Sequence, residues 1–468
     1  MMTLAEALDL LASRGMQENR ARGAARIEAV GTDSRAIASG QLFVALRGER
    51  FDGHDFVEAA LVAGAAAVMV DTRWEAEHAQ SNAARLVVED TRLALGALAA
   101  AWRRRFNIPL IGVTGSNGKT TVKEMCASIL RAWFGKEDAV HATRGNFNND
   151  IGLPLTLLGL RDHHRAAVIE MGMNHPGEIA VLTGLARPTV ALVNNAQRAH
   201  LEGMGSLDSV AREKGQIYAG LADGGIAVVN ADDTHAGEWL AQNAKASREA
   251  VSFGLSPSAT VHGNCDLREL ETALRFESPW GRGECVLKMP GIHNALNALA
   301  AAAACLSAGV PLAAVEAGLS ECGGARGRLQ RRTGPRGSLL LDDTYNANPD
   351  SVKAGIDVLA RMPGRTIFVF GDMGEVGEAS ERAHAEIGVY AKDKGIGCLY
   401  TLGVLSETAA SHFGSGGQHF SSVDSLAEAL APGLGAGDTV LIKGSRFMRM
   451  ERVVEALVDT VPHPEGEG

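Results

Sequence analysis

The chain has 468 residues, enough for roughly two to four domains. Its 46% hydrophobic and 21% charged residues exclude a disordered chain, and a formal charge of −10 argues against a nucleic-acid partner, whose phosphate backbone calls for a positive surface. Cys126, Cys265, Cys285, Cys305, Cys322 and Cys398 form no CxxC pair, which excludes a zinc-finger pattern and a disulfide framework; they read as reduced thiols.

The N-terminal stretch MMTLAEALDLLASRGMQENRARG carries acids inside its apolar part, unlike a signal peptide. Residues 1–84 hold short apolar runs at 41–46 and 66–70 around a polar turn, a small mixed α/β unit. A second unit, 85–324, opens near a basic run, Arg103-Arg104-Arg105, read as a solvated helix end. It centres on an apolar strand at 109–113, a Gly-rich loop and a helix over 121–133. Further apolar runs at 166–169, 189–193, 226–229 and 286–289 alternate with helical segments, the pattern of a mainly parallel, helix-covered sheet. The most apolar stretch, 295–319, is interrupted by Asn297, Ser307, Pro311 and Glu316, so it reads as buried Ala-rich helices and not a membrane span. A third unit, 325–468, repeats the alternation with runs at 338–341, 366–370, 398–402 and 439–442 and a helix over 381–394; it is expected to be Rossmann-like. The Gly/Arg-rich segment 323–337 reads as a hinge, and the tail 461–468 as frayed. The expected fold class is therefore α/β in three domains, in a soluble, cytoplasmic protein.

The sharpest signal is Ile111-Gly-Val-Thr-Gly-Ser-Asn-Gly-Lys-Thr-Thr121. A strand feeds a Gly-rich turn that feeds a helix, so backbone N–H groups and the positive helix end can cradle phosphate oxygens. Thr114, Gly115, Ser116, Asn117, Gly118, Lys119, Thr120 and Thr121 are the candidate nucleotide-binding residues. Gly115 and Gly118 would let the backbone close in, Lys119 would pair with β/γ-phosphates and Thr120 would offer its hydroxyl to Mg²⁺. The spacing departs from GxxxxGK[ST], since the earlier glycine is Gly112 and Val113 stands in its place. Alone, this loop says nucleoside triphosphate and nothing of a second substrate.

The variant TGSNGKTT resembles the loop of the Mur ligases and their folylpolyglutamate synthetase relatives. Other blocks follow in that family's order: Thr32-Asp-Ser-Arg35, then 145–154 (GNFNNDIGLP), Glu170-Met-Gly172, Asn194-Asn195 with His200-Leu-Glu202, and Gly291-Ile-His-Asn294. Asp342-Asp-Thr-Tyr-Asn-Ala-Asn-Pro-Asp-Ser351, Gly371-Asp-Met-Gly-Glu-Val-Gly377 and Lys443-Gly-Ser-Arg446 resemble the branch that adds D-alanyl-D-alanine, although Gly374 stands where that branch usually carries a bulkier residue. No DNPR-type motif of the branch adding the third peptide residue is present.

The resemblance implies an ATP-dependent amide ligase that joins D-alanyl-D-alanine to UDP-N-acetylmuramoyl-tripeptide through an acyl phosphate; a monomer is expected, although the sequence does not give the oligomeric state. It implies catalytic roles for Lys119, Glu170, His200 and Lys214, and two Mg²⁺ ions held by Thr120, Glu170, His200 and Lys214, the last as a carbamate. Asp343 would contact ribose, Arg328 the nucleotide or its phosphates, and Asn294 adenine. Thr32, Ser34 and Arg35 are candidates for the UDP end, Asn149 for the substrate near the γ-phosphate, and Tyr345, Asn346 and Asn348 for the dipeptide. Plainer readings stand beside these: Lys214 as a solvated helix lysine, Asn294 as a helix N-cap, and Ser34-Arg35 as a cap and a surface arginine. Rival functions are another Mur-type or folylpolyglutamate ligase, a P-loop ATPase that makes no bond, and an inactive UDP-sugar-binding module.

Overall fold

The computed structural model describes residues 1–16 and 19–459; the tail 461–468, expected to fray, lies outside the described residues. Three larger sheets follow one another along the chain, each covered by helices. The first has five strands and uses the two apolar runs seen in sequence as Gln41–Val44 and Ala67–Asp71. It also takes in Arg85–Val88, so this sheet extends past residue 84, where the first unit was expected to end.

The second sheet has nine strands. Its parallel heart places Leu110–Thr114 between Ala166–Glu170 and Val190–Val193, all three fully buried apolar runs. One edge differs from the sequence expectation. Val261–Leu267, Thr272–Ser278 and Gly281–Leu287 form antiparallel hairpins. These strands alternate buried and exposed residues because one face meets solvent, so polar side chains dilute the apolar signal. The Ala-rich stretch forms two helices, Ile292–Ser307 and Leu312–Glu321, separated at Pro311, and among the described residues no helix is long and apolar enough to cross a membrane.

Small side chains in these helices permit close packing. A Cβ on Gly318 would stand 2.3 Å from the Cα of Ile129, on helix Lys119–Phe134, and the Ser128 hydroxyl donates to the Gly318 carbonyl at 2.7 Å. Backbone cannot swing away as a flexible side chain can, so Gly318→Ala is expected to cost about 2–3 kcal/mol. An unchanged melting temperature would contradict this account of the helix crossing.

The third sheet has six strands, five of them parallel, with Gln330–Thr333 antiparallel at one edge. Helices such as Pro349–Leu359 and Ser380–Asp393 connect its strands, the doubly wound arrangement anticipated for this unit. Of the basic run near residue 103, Arg104 and Arg105 are exposed, but Arg103 is buried. It donates to the carbonyls of Phe106 and Ala186, so the expected solvated helix end is corrected at that position. The hinge segment is stitched at both sides: Arg331 donates to the Leu270 and Lys288 carbonyls, and Arg336 to those of Leu434 and Ala431.

Candidate active site

Parallel register sets the first geometry. Val113 pairs with Glu170 and Thr114 with Val193, so Thr114, Glu170 and Asn194 emerge side by side at the carboxyl ends of adjacent strands. Open parallel sheets bind ligands in this position. The Thr114 hydroxyl donates to the Met171 carbonyl at 2.8 Å, tying two of these strand ends together.

The loop then turns under tight steric control. Gly118 has φ of 78° and caps helix Lys119–Phe134. A Cβ there would meet Asn297 Oδ1 at 2.3 Å and Asn194 Nδ2 at 2.5 Å, so glycine is required both by conformation and by space. The Asn194 amide donates to the Asn117 carbonyl (2.9 Å) and to Asn297 Oδ1 (2.8 Å), while Asn195 Oδ1 accepts from the Asn117 N–H (2.9 Å). Ser116 Oγ donates to the Gln197 carbonyl at 3.0 Å. Thus the segment 194–197 braces the phosphate loop from the neighbouring strand.

Around the loop lies a cavity of about 640 Å³. Ser116, Asn117, Gly118, Lys119, Thr121, Asn149, Glu170, His200, Asn294, Arg328, Asp343, Tyr345, Asn346 and Asn348 all line it, drawn from the second and third sheets. Thr114, Gly115, Thr120 and Lys214 do not form its wall. Thr32, Ser34 and Arg35 sit apart from it, on the first unit. There the cap is Asp33, which accepts the Arg35 N–H and pairs with its guanidinium; Ser34 is not the cap expected from sequence.

The Lys119 ammonium is directed at the loop, donating to the Gly115 carbonyl at 2.8 Å and the Ser116 carbonyl at 3.3 Å. Burial holds its pKa below the ordinary lysine range, with the nearby Glu170 carboxylate opposing that shift. Thr120 Oγ1 donates to Glu170 Oε2 (2.8 Å) and accepts from Arg328 Nη2 (2.9 Å). Asn148 Nδ2 donates to the other Glu170 oxygen at 2.8 Å. Glu170 is 2% exposed and forms no ion pair among the described residues, so it is a buried carboxylate held by neutral donors.

His200 adopts φ of 57° and starts the short helix Leu201–Met204. Its Nδ1 lies 2.7 Å from Glu375 Oε2 of the third unit, although the angle falls outside a directed hydrogen bond. We read the contact as electrostatic; with His200 beside it, the Glu375 carboxyl is held below its usual range. Lys214 is 1% exposed inside helix Leu207–Gly215, which overturns the plainer reading of a solvated lysine. Desolvation pushes its pKa well below the ordinary value, the Lys119 charge adds to that, and Glu213 opposes it. Glu213 spends its carboxylate on the N–H groups of Gly177 and Ile179, and Lys214 forms no ion pair among the described residues.

Asn294 is likewise not the helix cap. Gly291 holds that position, while Asn294 donates to the Pro290 carbonyl (2.8 Å) and accepts from Asn297 Nδ2 (3.2 Å). From the third unit, Asp343 pairs with Lys443 at 2.6 Å, and the same ammonium donates to the Asn346 carbonyl at 2.9 Å. The Arg328 guanidinium stacks 4.4 Å from the Tyr345 ring centroid. Asn348 caps helix Pro349–Leu359 and exchanges two amide hydrogen bonds with Asn117 of the phosphate loop. Asn297, Gln197 and Lys443 were not singled out as site residues; for Asn297, its place three residues after Asn294 on one helix face was the available signal.

Comparison with known proteins decides the family. Models described as the Mur ligase family catalytic domain, the Mur ligase middle domain and the Mur ligase glutamate ligase domain match residues 26–103, 113–305 and 327–446 in that order. The chain belongs to the Mur ligase family. It is accordingly an enzyme, a ligase. A UDP-N-acetylmuramoyl-tripeptide–D-alanyl-D-alanine ligase from Escherichia coli K12 is 43% identical over 92% of this chain and 94% of its own. The crystal structure of a MurF from Acinetobacter baumannii superposes with a TM-score of 0.87 at 34% identity, covering 97% of this chain and 98% of that one. A MurF ligase from Thermotoga maritima, solved in complex with ADP, gives 0.78 at 30% identity over 92% and 97%. The three-unit α/β architecture of this Mur ligase is therefore that of its solved relatives.

Proposed function

We propose that this Mur ligase joins D-alanyl-D-alanine to UDP-N-acetylmuramoyl-tripeptide with consumption of ATP. The carrying observation is the convergence, in one cavity, of the phosphate loop with Asp343, Tyr345, Asn346 and Asn348 of the third unit, whose sequence blocks set this branch apart. Full-length likeness to relatives bearing that name supports the same reading, and the ADP complex of one supports a nucleotide on this loop.

The chemistry asks first for activation. A carboxylate is a poor electrophile, so the terminal carboxylate of the tripeptide attacks the γ-phosphorus of ATP, giving an acyl phosphate and ADP. The dipeptide amine then attacks the acyl carbon, loses its proton, and phosphate leaves. Positioning and charge neutralisation do the work. Lys119 supplies a cation beside the phosphates, and Arg328, fixed on Tyr345 and Thr120, brings another from the third unit. Asp343, oriented by Lys443, would accept from a ribose hydroxyl, and Asn294 would read adenine with its amide.

The donor set fits Mg²⁺, which prefers hard oxygen ligands. Glu170 and Thr120 would hold one ion; His200, with Lys214 as a carbamate, would hold a second. Bound Mg²⁺ would neutralise phosphoryl oxygens. Burial that disfavours the Lys214 ammonium favours the neutral amine that CO₂ requires. All these groups belong to one chain, consistent with a monomer working in the cytoplasm, where ATP is available.

The test uses the purified protein with ATP, Mg²⁺ and UDP-muramoyl-tripeptide, offered D-alanyl-D-alanine or single amino acids, with product read by mass. A dipeptide adduct and stoichiometric ADP are expected. ADP without any peptide product would point to an ATPase and overturn the reading.

A further inference from the structure

The phosphate loop meets the third unit through more than the Asn117–Asn348 pair. Two residues after Asn348, Asp350 lies in the first turn of helix Pro349–Leu359. Its carboxylate accepts the Arg198 backbone N–H at 2.9 Å, Arg198 Nε at 3.0 Å and Arg198 Nη2 at 2.7 Å. The other side of the same guanidinium reaches Glu386, on helix Ser380–Asp393, with Nη1 at 3.0 Å from Oε2 and 3.2 Å from Oε1. Lys353 closes the network on Glu386. Arg198 belongs to the second unit, to the segment that braces Ser116 and Asn117 through Gln197 and leads into His200. The fork geometry of arginine suits this two-carboxylate bridge; a lysine could not span it.

We infer that Arg198 is a positioning residue for the ligation reaction: by clasping Asp350 and Glu386 it fixes the third unit against the segment that carries both the brace of the phosphate loop and His200. The inference rests on the ligase reading of the site, and it is a statement about which contact makes the two halves of that site meet. Among the described residues neither carboxylate pairs with another cation of the second unit, so loss of Arg198 leaves an acidic pair, Asp350 and Glu386, facing that segment. The side chains are about one-third exposed, and such an ion network weakens as salt rises.

The variants are Arg198→Met, Asp350→Asn and the double variant, each in the full chain. For Arg198→Met, kcat/KM for the dipeptide is expected to fall about 30-fold at low salt, in line with a coupling of about 2 kcal/mol. Its residual activity should be flat in salt between about 0.05 and about 0.5 M, where the wild type declines. The double variant should be no worse than the worse single one. Solution scattering with a non-hydrolysable ATP analogue and tripeptide should show a more extended average shape for Arg198→Met than for wild type. An unchanged kcat/KM, or losses that add in the double variant and keep the wild-type salt slope, would overturn the assignment, since a residue that only supports the fold would behave that way. Should wild type make no dipeptide product, the ligation reading fails by itself, and identical scattering of wild type and Arg198→Met would then refute the clasp.

Discussion

Lys119→Met is expected to lower kcat on the order of 10³-fold while leaving the melting temperature close to wild type. The methionine keeps the buried stem, and the charge it removes is a minor part of the fold's stability because, among the described residues, the ammonium bonds to carbonyls of its own loop alone. Transferred phosphoryl oxygens, by contrast, lose the cation meant for them. Arginine at 119 should not restore activity, since its fork is bulkier than the compact ammonium the loop encloses. ADP release under saturating tripeptide and dipeptide is the measurement, and retention of more than about a tenth of wild-type kcat would show that the loop does not use this cation as argued.

The second large effect is at Lys214. Lys214→Ala is expected to lose on the order of 10³-fold in kcat, and added short carboxylates such as acetate should restore part of it. A carbamate forms when a neutral amine adds to CO₂ and sheds a proton, turning a cation into a pair of anionic oxygens. Burial and the Lys119 charge both favour the neutral amine, so the two lysines are linked electrostatically even though only one lines the cavity. Full activity of Lys214→Ala would refute the carbamate role; loss without any recovery by carboxylates would reduce the residue to packing.

Much of this was legible in the residues. The strand before the phosphate loop is an unbroken apolar run with glycines after it, and the turn demands them, as the contacts facing Gly118 show. Glu170 was readable because it ends an apolar run, and His200 because the block around it follows in a family order. What escaped had physical reasons. The hairpins over 261–287 are half exposed, so their alternation is diluted by polar residues. Lys214 shares a helix face with the apolar Val210 and Ala211, but its charge and its neighbours Arg212 and Glu213 mask that signal, and the tertiary packing around it desolvates the amine. Asn117 and Asn348 stand 231 residues apart, and Arg198 and Asp350 stand 152 apart, so no local pattern could join them.

The apolar interior divides the molecule differently from its sheets. Leu42, Val44 and Met69 of the first unit share one continuous core with Leu95, Leu98, Leu157 and Tyr218 of the second, whereas the third unit keeps its own cores around Phe368 and Val440. The Thr91 hydroxyl on the Ala45 carbonyl and the Arg161 guanidinium on the Glu28 carbonyl fasten the same seam. The first two units thus share their largest core, whereas the third is joined to them across the cavity mainly by polar contacts such as Asn117–Asn348 and Arg198–Asp350, so water and ions compete at that joint as they cannot at the apolar seam.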